Sequence, residues 1–122
     1  MARTVLIVDD HAGFRRLARR MLEADGYDVV GEAADGAAAL AAARALRPDL
    51  VLLDVQLPDV DGFRVADELR GNGGGPPVVL TSTREARDYG RRVERSAARG
   101  FVAKSELSGD AIAAVLGRTQ SP

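Results

Sequence analysis

The sequence predicts an α/β domain: a doubly wound parallel sheet of five strands covered by five helices. Three observations lead there. Val5-Leu6-Ile7-Val8, Leu50 to Val55 (LVLLDV) and Val78-Val79-Leu80-Thr81 are apolar runs without polar alternation, which suits strands buried on both faces. The segments between them carry helical spacing. Strand and helix patterns alternate five times within 122 residues, a length that suits one domain and is too short for two ordinary ones.

The first strand is Val5 to Val8. The helix after it sets Phe14, Leu17, Ala18, Met21 and Leu22 on an apolar face, with Arg15, Arg16, Arg19 and Arg20 opposite, and ends by Gly26. A shorter second strand centres on Val29-Val30 in DVVGEA. An alanine-rich second helix runs from Ala37 to Leu46 around Leu40 and stops before Pro48. LVLLDV is the third strand. Pro58 and Gly62 in LPDVDG read as turn and helix-entry residues, and Phe63, Ala66 and Leu69 mark a short third helix. Gly71 to Pro77 (GNGGGPP) has no Lys-Ser or Lys-Thr after it and no strand-to-helix context, so it reads as a surface loop rather than a phosphate cradle. After the fourth strand, Ala86, Val93 and Ala97 give a weaker fourth helix that Gly90 interrupts. Six arginines against three acids between Arg84 and Arg99 read as a solvated helix face, with a docking surface as the minority reading. Phe101-Val102-Ala103 in GFVAK is the fifth strand, and Ile112, Val115 and Leu116 form the fifth helix after a Ser108 cap.

Composition narrows the function classes. With 17 basic and 18 acidic residues the formal net charge is −1, so the overall balance does not favour nucleic acid or an anionic membrane as a partner. The absence of cysteine excludes disulfides, thiolate metal sites and a cysteine nucleophile, and the lone His11 excludes a histidine-cluster metal site. His11 itself reads as a polar first-turn residue. The apolar run Val5 to Val8 is too short for a signal-peptide core or a membrane span, so the expectation is a soluble, cytoplasmic protein. Lys104 is the single lysine in a chain whose other cations are all arginine. That exception reflects either chance within a strong arginine bias or a need for a compact ammonium.

In doubly wound sheets, ligands sit beyond the carboxyl ends of the strands, where strand order reverses. Asp9 and Asp10 follow the first strand and Asp54 lies near the end of the third. Taken by themselves, Asp9 and Asp10 read as helix caps. With Asp54 beside them they become an acidic cluster in which each charge disfavours the others' ionisation unless a cation joins them. A hard divalent ion such as Mg²⁺ suits one or two carboxylates and leaves room for a phosphate oxygen. Ser82 and Lys104, after the fourth and fifth strands, add a hydroxyl and an ammonium that can bind phosphoryl oxygens. Such a set can carry out phosphoryl transfer to a carboxylate nucleophile.

The segments VDDHAGFR, LLDVQLPDVDG, VVLTS and GFVAK, in that order, resemble the receiver domain of two-component response regulators over essentially the whole chain. The resemblance implies a flavodoxin-like strand order 2-1-3-4-5, a receiver domain over residues 1–117, and a polar tail or linker stump over 118–122. It implies Asp54 as phosphoacceptor, with Mg²⁺ (or Mn²⁺) held by Asp10, Asp54 and the backbone carbonyl of Gln56, and Asp9 assisting through water. Ser82 would be the switch hydroxyl with Thr81 as its alternative, the Thr83 backbone N–H and Lys104 would bind the phosphoryl group, and Phe101 would change rotamer. The implied partners are a sensor histidine kinase and a downstream effector or output module, with a homodimer compatible. Asp-His-Ala-Gly-Phe-Arg is similar to regulators that carry a helix-turn-helix module downstream, and the residues after Asp110 suffice for only one short helix, so a receiver-only protein or a fragment is expected.

Two positions depart from the family pattern. Ser105 stands after Lys104 where proline is frequent, which leaves the geometry of that bond open. Thr83 stands after the switch hydroxyl where a small residue is frequent. Two rival readings are a receiver-like interaction module that works without phosphorylation and a Mg²⁺-dependent phosphohydrolase. The first has no need of all five polar residues Asp9, Asp10, Asp54, Ser82 and Lys104; the haloacid-dehalogenase type of the second needs Asp-x-Asp where this chain has Asp9-Asp10-His11.

Overall fold

A computed structural model describes residues 2–117, so the tail expected at 118–122 lies outside the described residues. Five parallel strands form one sheet in the order β2-β1-β3-β4-β5. They are β1 (Thr4–Val8), β2 (Asp28–Ala33), β3 (Leu50–Asp54), β4 (Val78–Ser82) and β5 (Gly100–Ala103). The helices are α1 (Ala12–Ala24), α2 (Gly36–Leu46), α3 (Gly62–Arg70), α4 (Arg92–Arg95) and α5 (Gly109–Gly117). The predicted architecture is the one observed, including the reversal of strand order between β1 and β3.

Both faces of the sheet are apolar because β3 and β4 bury every residue. On one face Val5, Ile7, Leu50, Leu52 and Val79 pack against Ala18 and Leu22 of α1 and Ile112, Val115 and Leu116 of α5. On the other, Leu6, Val51, Leu53 and Leu80 pack against Ala39 and Ala43 of α2 and Phe63, Ala66 and Leu69 of α3. The residues that α2 buries are all small: Gly36, Ala39 and Ala43. The predicted apolar face of α1 is one residue too wide: Leu17 is 55 % exposed, while Ala18 and Leu22 carry the packing.

The fourth helix differs most from expectation. Ala86–Tyr89 forms a single 3₁₀ turn, Gly90 at φ +60° breaks it, and α4 itself has 4 residues. Ala97, expected inside the helix, lies beyond it, and its N–H donates to Asp67 Oδ1 at 2.8 Å. Every peptide bond among the described residues is trans, so Lys104–Ser105 adopts the ordinary geometry.

The loop after β3 is held at both ends. The Asp59 carboxylate accepts the Gly36 and Ala37 N–H groups at 2.8 and 3.1 Å, capping α2 from a distance, and Asp61 caps α3 by accepting the Phe63 N–H at 2.7 Å. Gly62 N–H donates to the Val55 carbonyl at 2.8 Å, which closes the loop against the strand end. A Cβ at Gly62 would fall on the Asp54 carbonyl oxygen and within 2.7 Å of Val55 Cα. Gly62→Ala should therefore lower stability by about 1–3 kcal/mol, the range for forced overpacking. Gly13→Ala, whose Cβ meets nothing within 4 Å, should be neutral or stabilising by up to about 1 kcal/mol because it only improves helix propensity. Urea unfolding of the two variants tests the contrast.

Candidate functional site

The strand ends bring the polar residues together as their positions predicted. Asp9 leaves β1 fully buried, Asp10 beside it has a side chain 34 % exposed, and Asp54 ends β3 at 3 % exposure. Lys104 opens a 3₁₀ turn directly after β5 and reaches across the sheet edge. Its ammonium lies 2.6 Å from Asp9 Oδ2 and 3.5 Å from Asp54 Oδ2, and 4.3 Å above the Phe14 ring centroid. The ring screens the cation from water on one side, which strengthens both ion pairs. The single lysine is thus the cation that ties β1, β3 and β5 together at this end.

One ammonium does not balance three carboxylates. Burial pushes the Asp54 carboxyl up from an ordinary 3.8 to about 6; the Asp9 charge adds to the rise, and the Gln56 N–H and Lys104 oppose it. The Gln56 N–H donates to Asp54 Oδ1 at 3.2 Å. Ligand atoms of Asp9, Asp10, His11 and Asp54 all lie within 4.8 Å of one another. A compact acidic set of this size, short of positive charge and partly open at Asp10, fits a hard divalent cation.

His11 is closer to this cluster than a polar first-turn residue needs to be. Its Nδ1 lies 3.0 Å from Asp9 Oδ1 and 3.0 Å from Asp10 Oδ1, and its backbone N–H donates to Asp9 Oδ1 at 2.8 Å. Asp9 and Asp10 are not the cap of α1: His11 holds that position, without a side-chain hydrogen bond to the helix. Arg15 fixes the strand exit by donating from Nη1 to the Asp9 carbonyl at 2.6 Å.

The two candidate hydroxyls point to opposite faces of β4. Thr81 pairs in register with Asp54, shares the face of Leu52 and Val79, and its fully buried Oγ1 has no hydrogen-bond partner. Ser82, the last residue of the strand rather than the first beyond it, is 1 % exposed. It lies on the face of Leu80 and Phe101, where its Oγ is 2.7 Å from the Tyr89 hydroxyl and accepts the Arg84 N–H at 3.1 Å. Thr83 is exposed, as is Gln56. Phe101 packs partly buried against the same core, 6.0 Å from the Tyr89 ring.

Sequence reasoning missed Tyr89 and Arg92. Arg92 belongs to the arginine excess read as a solvated face, yet it pairs with Asp61 and stacks 4.4 Å from the Phe63 ring centroid. Tyr89 is the sole aromatic between Arg84 and Arg99, which was its one available signal.

A family model of the response regulator receiver domain matches residues 5–116. This chain belongs to the response regulator receiver family. The receiver is 38 % identical over 113 residues to the transcriptional regulatory protein PdtaR of Mycobacterium tuberculosis, covering 93 % of this chain and 55 % of that protein. Among solved structures it resembles the signal receiver domain of NarL from Mycobacterium tuberculosis, at 33 % identity and TM-score 0.84, over 99 % of this chain and 98 % of that one. It also resembles the chemotaxis response regulator CheY4 of Vibrio cholerae, at 28 % identity and TM-score 0.80, over 97 % and 98 % of the two chains. The receiver spans about half the length of the curated relatives it matches, 49 % and 55 % for two of them. No helix among the described residues is long and apolar enough to cross a membrane.

The raised Asp54 carboxyl has a consequence for stability. The fold prefers the neutral acid, so its favourable contribution is complete below 3.8 and is lost as pH rises through about 6. In chelator, Asp54→Asn should be more stable than the wild type above pH 6, by of order 1 kcal/mol, with the difference vanishing below pH 4. Urea midpoints measured across this range check both the sign and the window.

Proposed function

We propose that the receiver accepts a phosphoryl group from a histidine kinase onto Asp54, and that the modified aspartate then changes a partner-binding face. What carries this reading is Asp54: a carboxylate at 3 % exposure, set among further carboxylates and within 3.5 Å of the chain's one lysine. A buried acid has little structural use in such company, whereas a nucleophile needs these neighbours.

An Asp54 oxygen forms a bond to phosphorus as the bond to the kinase imidazole nitrogen breaks, and the histidine leaves with the electron pair and later takes a proton. Lys104 pairs with a phosphoryl oxygen, giving up part of its hold on Asp9 and Asp54. The Ser82 hydroxyl and the Thr83 backbone N–H donate to further oxygens, with Thr81 the alternative hydroxyl, and Phe101 repacks on the Ser82 side. Asp10, Asp54 and the Gln56 carbonyl would hold Mg²⁺, or Mn²⁺ in its place, with Asp9 assisting through water. That ion supplies charge neutralisation on the transferring group. The similarity to PdtaR and NarL supports a downstream output as the recipient of the signal.

Incubation with Mg²⁺ and acetyl phosphate, followed by intact-mass measurement, should give one phosphoryl adduct on the wild type and none on Asp54→Asn. Lys104→Ala, which leaves the buried Asp9 charge unpaired and is to be checked for folding by circular dichroism in Mg²⁺, should lower the adduct yield at least about tenfold, the scale for losing one charge-assisted contact in the transition state. The absence of adduct from the wild type, with a histidine kinase tried as donor too, would leave the phosphorylation-independent interaction module as the reading.

A further inference from the structure

We propose that Tyr89 is a positioning residue for phosphoryl binding: its hydroxyl holds the Ser82 side chain on the α3–α4 side of the sheet until a phosphoryl group competes for it. The proposal rests on the reading of Ser82 as the hydroxyl that binds the phosphoryl group on Asp54.

The Ser82 hydroxyl has one proton and two lone pairs. The Arg84 N–H occupies one lone pair at 3.1 Å, and the Tyr89 hydroxyl at 2.7 Å takes the strongest remaining contact. Asp54 lies on the opposite face of β4, in register with Thr81. The Tyr89 contact points the Ser82 Oγ away from the Asp54 face, so turning it toward a phosphoryl oxygen stretches or breaks that contact whichever hydroxyl donates. Phe101 cannot compete in this way because it carries no hydroxyl; it fills space beside the exchange.

Tyr89 is well placed to feel the loss. Its ring stands edge-on to Phe63 at 5.5 Å and tilted against Phe101 at 6.0 Å, so the hydroxyl is aimed by packing and not by the local backbone. The backbone here is a 3₁₀ turn of 4 residues closed by Gly90 at φ +60°, followed by an α4 of 4 residues. Segments this short do not hold themselves, so tertiary contacts keep them in place. They include Tyr89 on Ser82, Arg92 on Asp61 and the Phe63 ring, the Ala97 N–H on Asp67, and the packing of Tyr89, Val93 and Ala98 against the core. Removing the first leaves the end of the segment nearest the pocket held by ring packing alone, which links occupancy at Asp54 to the arrangement of Arg84 to Ala98.

A double-mutant cycle tests this with acetyl phosphate, Mg²⁺ and intact mass. Tyr89→Phe keeps the ring and removes the competing hydroxyl, so it should reach half-maximal adduct at about fivefold lower donor concentration, the factor one ordinary neutral hydrogen bond is worth. In a Ser82→Ala background the same change should have no effect. Equal half-maximal donor concentrations for wild type and Tyr89→Phe, or an equal shift in both backgrounds, would overturn the proposal. A spectroscopic readout is available because the chain has 2 tyrosines and no tryptophan. In a Tyr27→Phe protein the emission is that of Tyr89, and it should change as adduct forms; unchanged emission at full adduct also overturns the proposal. If wild type and Tyr89→Phe alike take no adduct from acetyl phosphate or from a kinase, the Asp54 reading itself has failed and the Tyr89 role falls with it.

Discussion

Three carboxylates share one end of the sheet with one ammonium, and much of the surrounding chain is arranged to make that tolerable. Removing charges from water costs several kcal/mol for each ion, and a buried pair recovers this only with close geometry. Asp9, fully buried, has that geometry with Lys104 at 2.6 Å; Asp54, at 3.5 Å, has less of it and is the group whose carboxyl rises. Phe14 shields the ammonium, Arg15 fixes the end of β1 through the Asp9 carbonyl, and Gly62 allows the β3–α3 loop to close against Asp54. The acidic surplus left over is what makes the pocket receptive to a cation, and through it to a phosphoryl group, in the proposed reaction.

The features legible in the sequence are those that depend on burial and on position along a strand. β1, β3 and β4 are buried on both faces, so their apolar runs announce them without reference to any partner. A residue just past such a run must stand at the sheet's carboxyl edge, which is why Asp9, Asp10, Asp54 and Lys104 could be gathered before any coordinate was known. Leu17 shows where the same logic overreaches. At 3.6 residues per turn it stands roughly 140° around α1 from Leu22. The apolar arc that includes it is wider than the sheet can cover, and Leu17 is the residue left outside.

The α4 region was not legible for the opposite reason. Beside the packing of Tyr89, Val93 and Ala98 on the core, it is tied down by single polar contacts to distant elements: Tyr89 to Ser82, Arg92 to Asp61, Ala97 to Asp67. None leaves a periodic trace. Six arginines in the stretch suggest a solvated helix, and nothing in their spacing tells that Asp61, at the start of α3, will pair with Arg92. The two hydroxyls of β4 were inseparable for a related reason: adjacent strand residues face opposite ways, and which way each faces depends on the register with β3.

That alternation bears on how a signal could leave the pocket. The sheet interior is close-packed, so transmitting a change by deforming it would cost several kcal/mol. Thr81 faces the Asp54 side and Ser82 the Tyr89 side, one peptide apart, so the carboxyl end of β4 presents a hydroxyl toward each face. Exchange of one hydroxyl hydrogen bond involves only about 1 kcal/mol. A change that small would be lost in a regular helix several turns long, but a 3₁₀ turn and one turn of α4, held by a few contacts, can register it. In the proposed reaction the buried Asp54 pocket sets where the charge arrives, and the α4 segment beside it, held by few contacts, is what a single hydrogen bond could move.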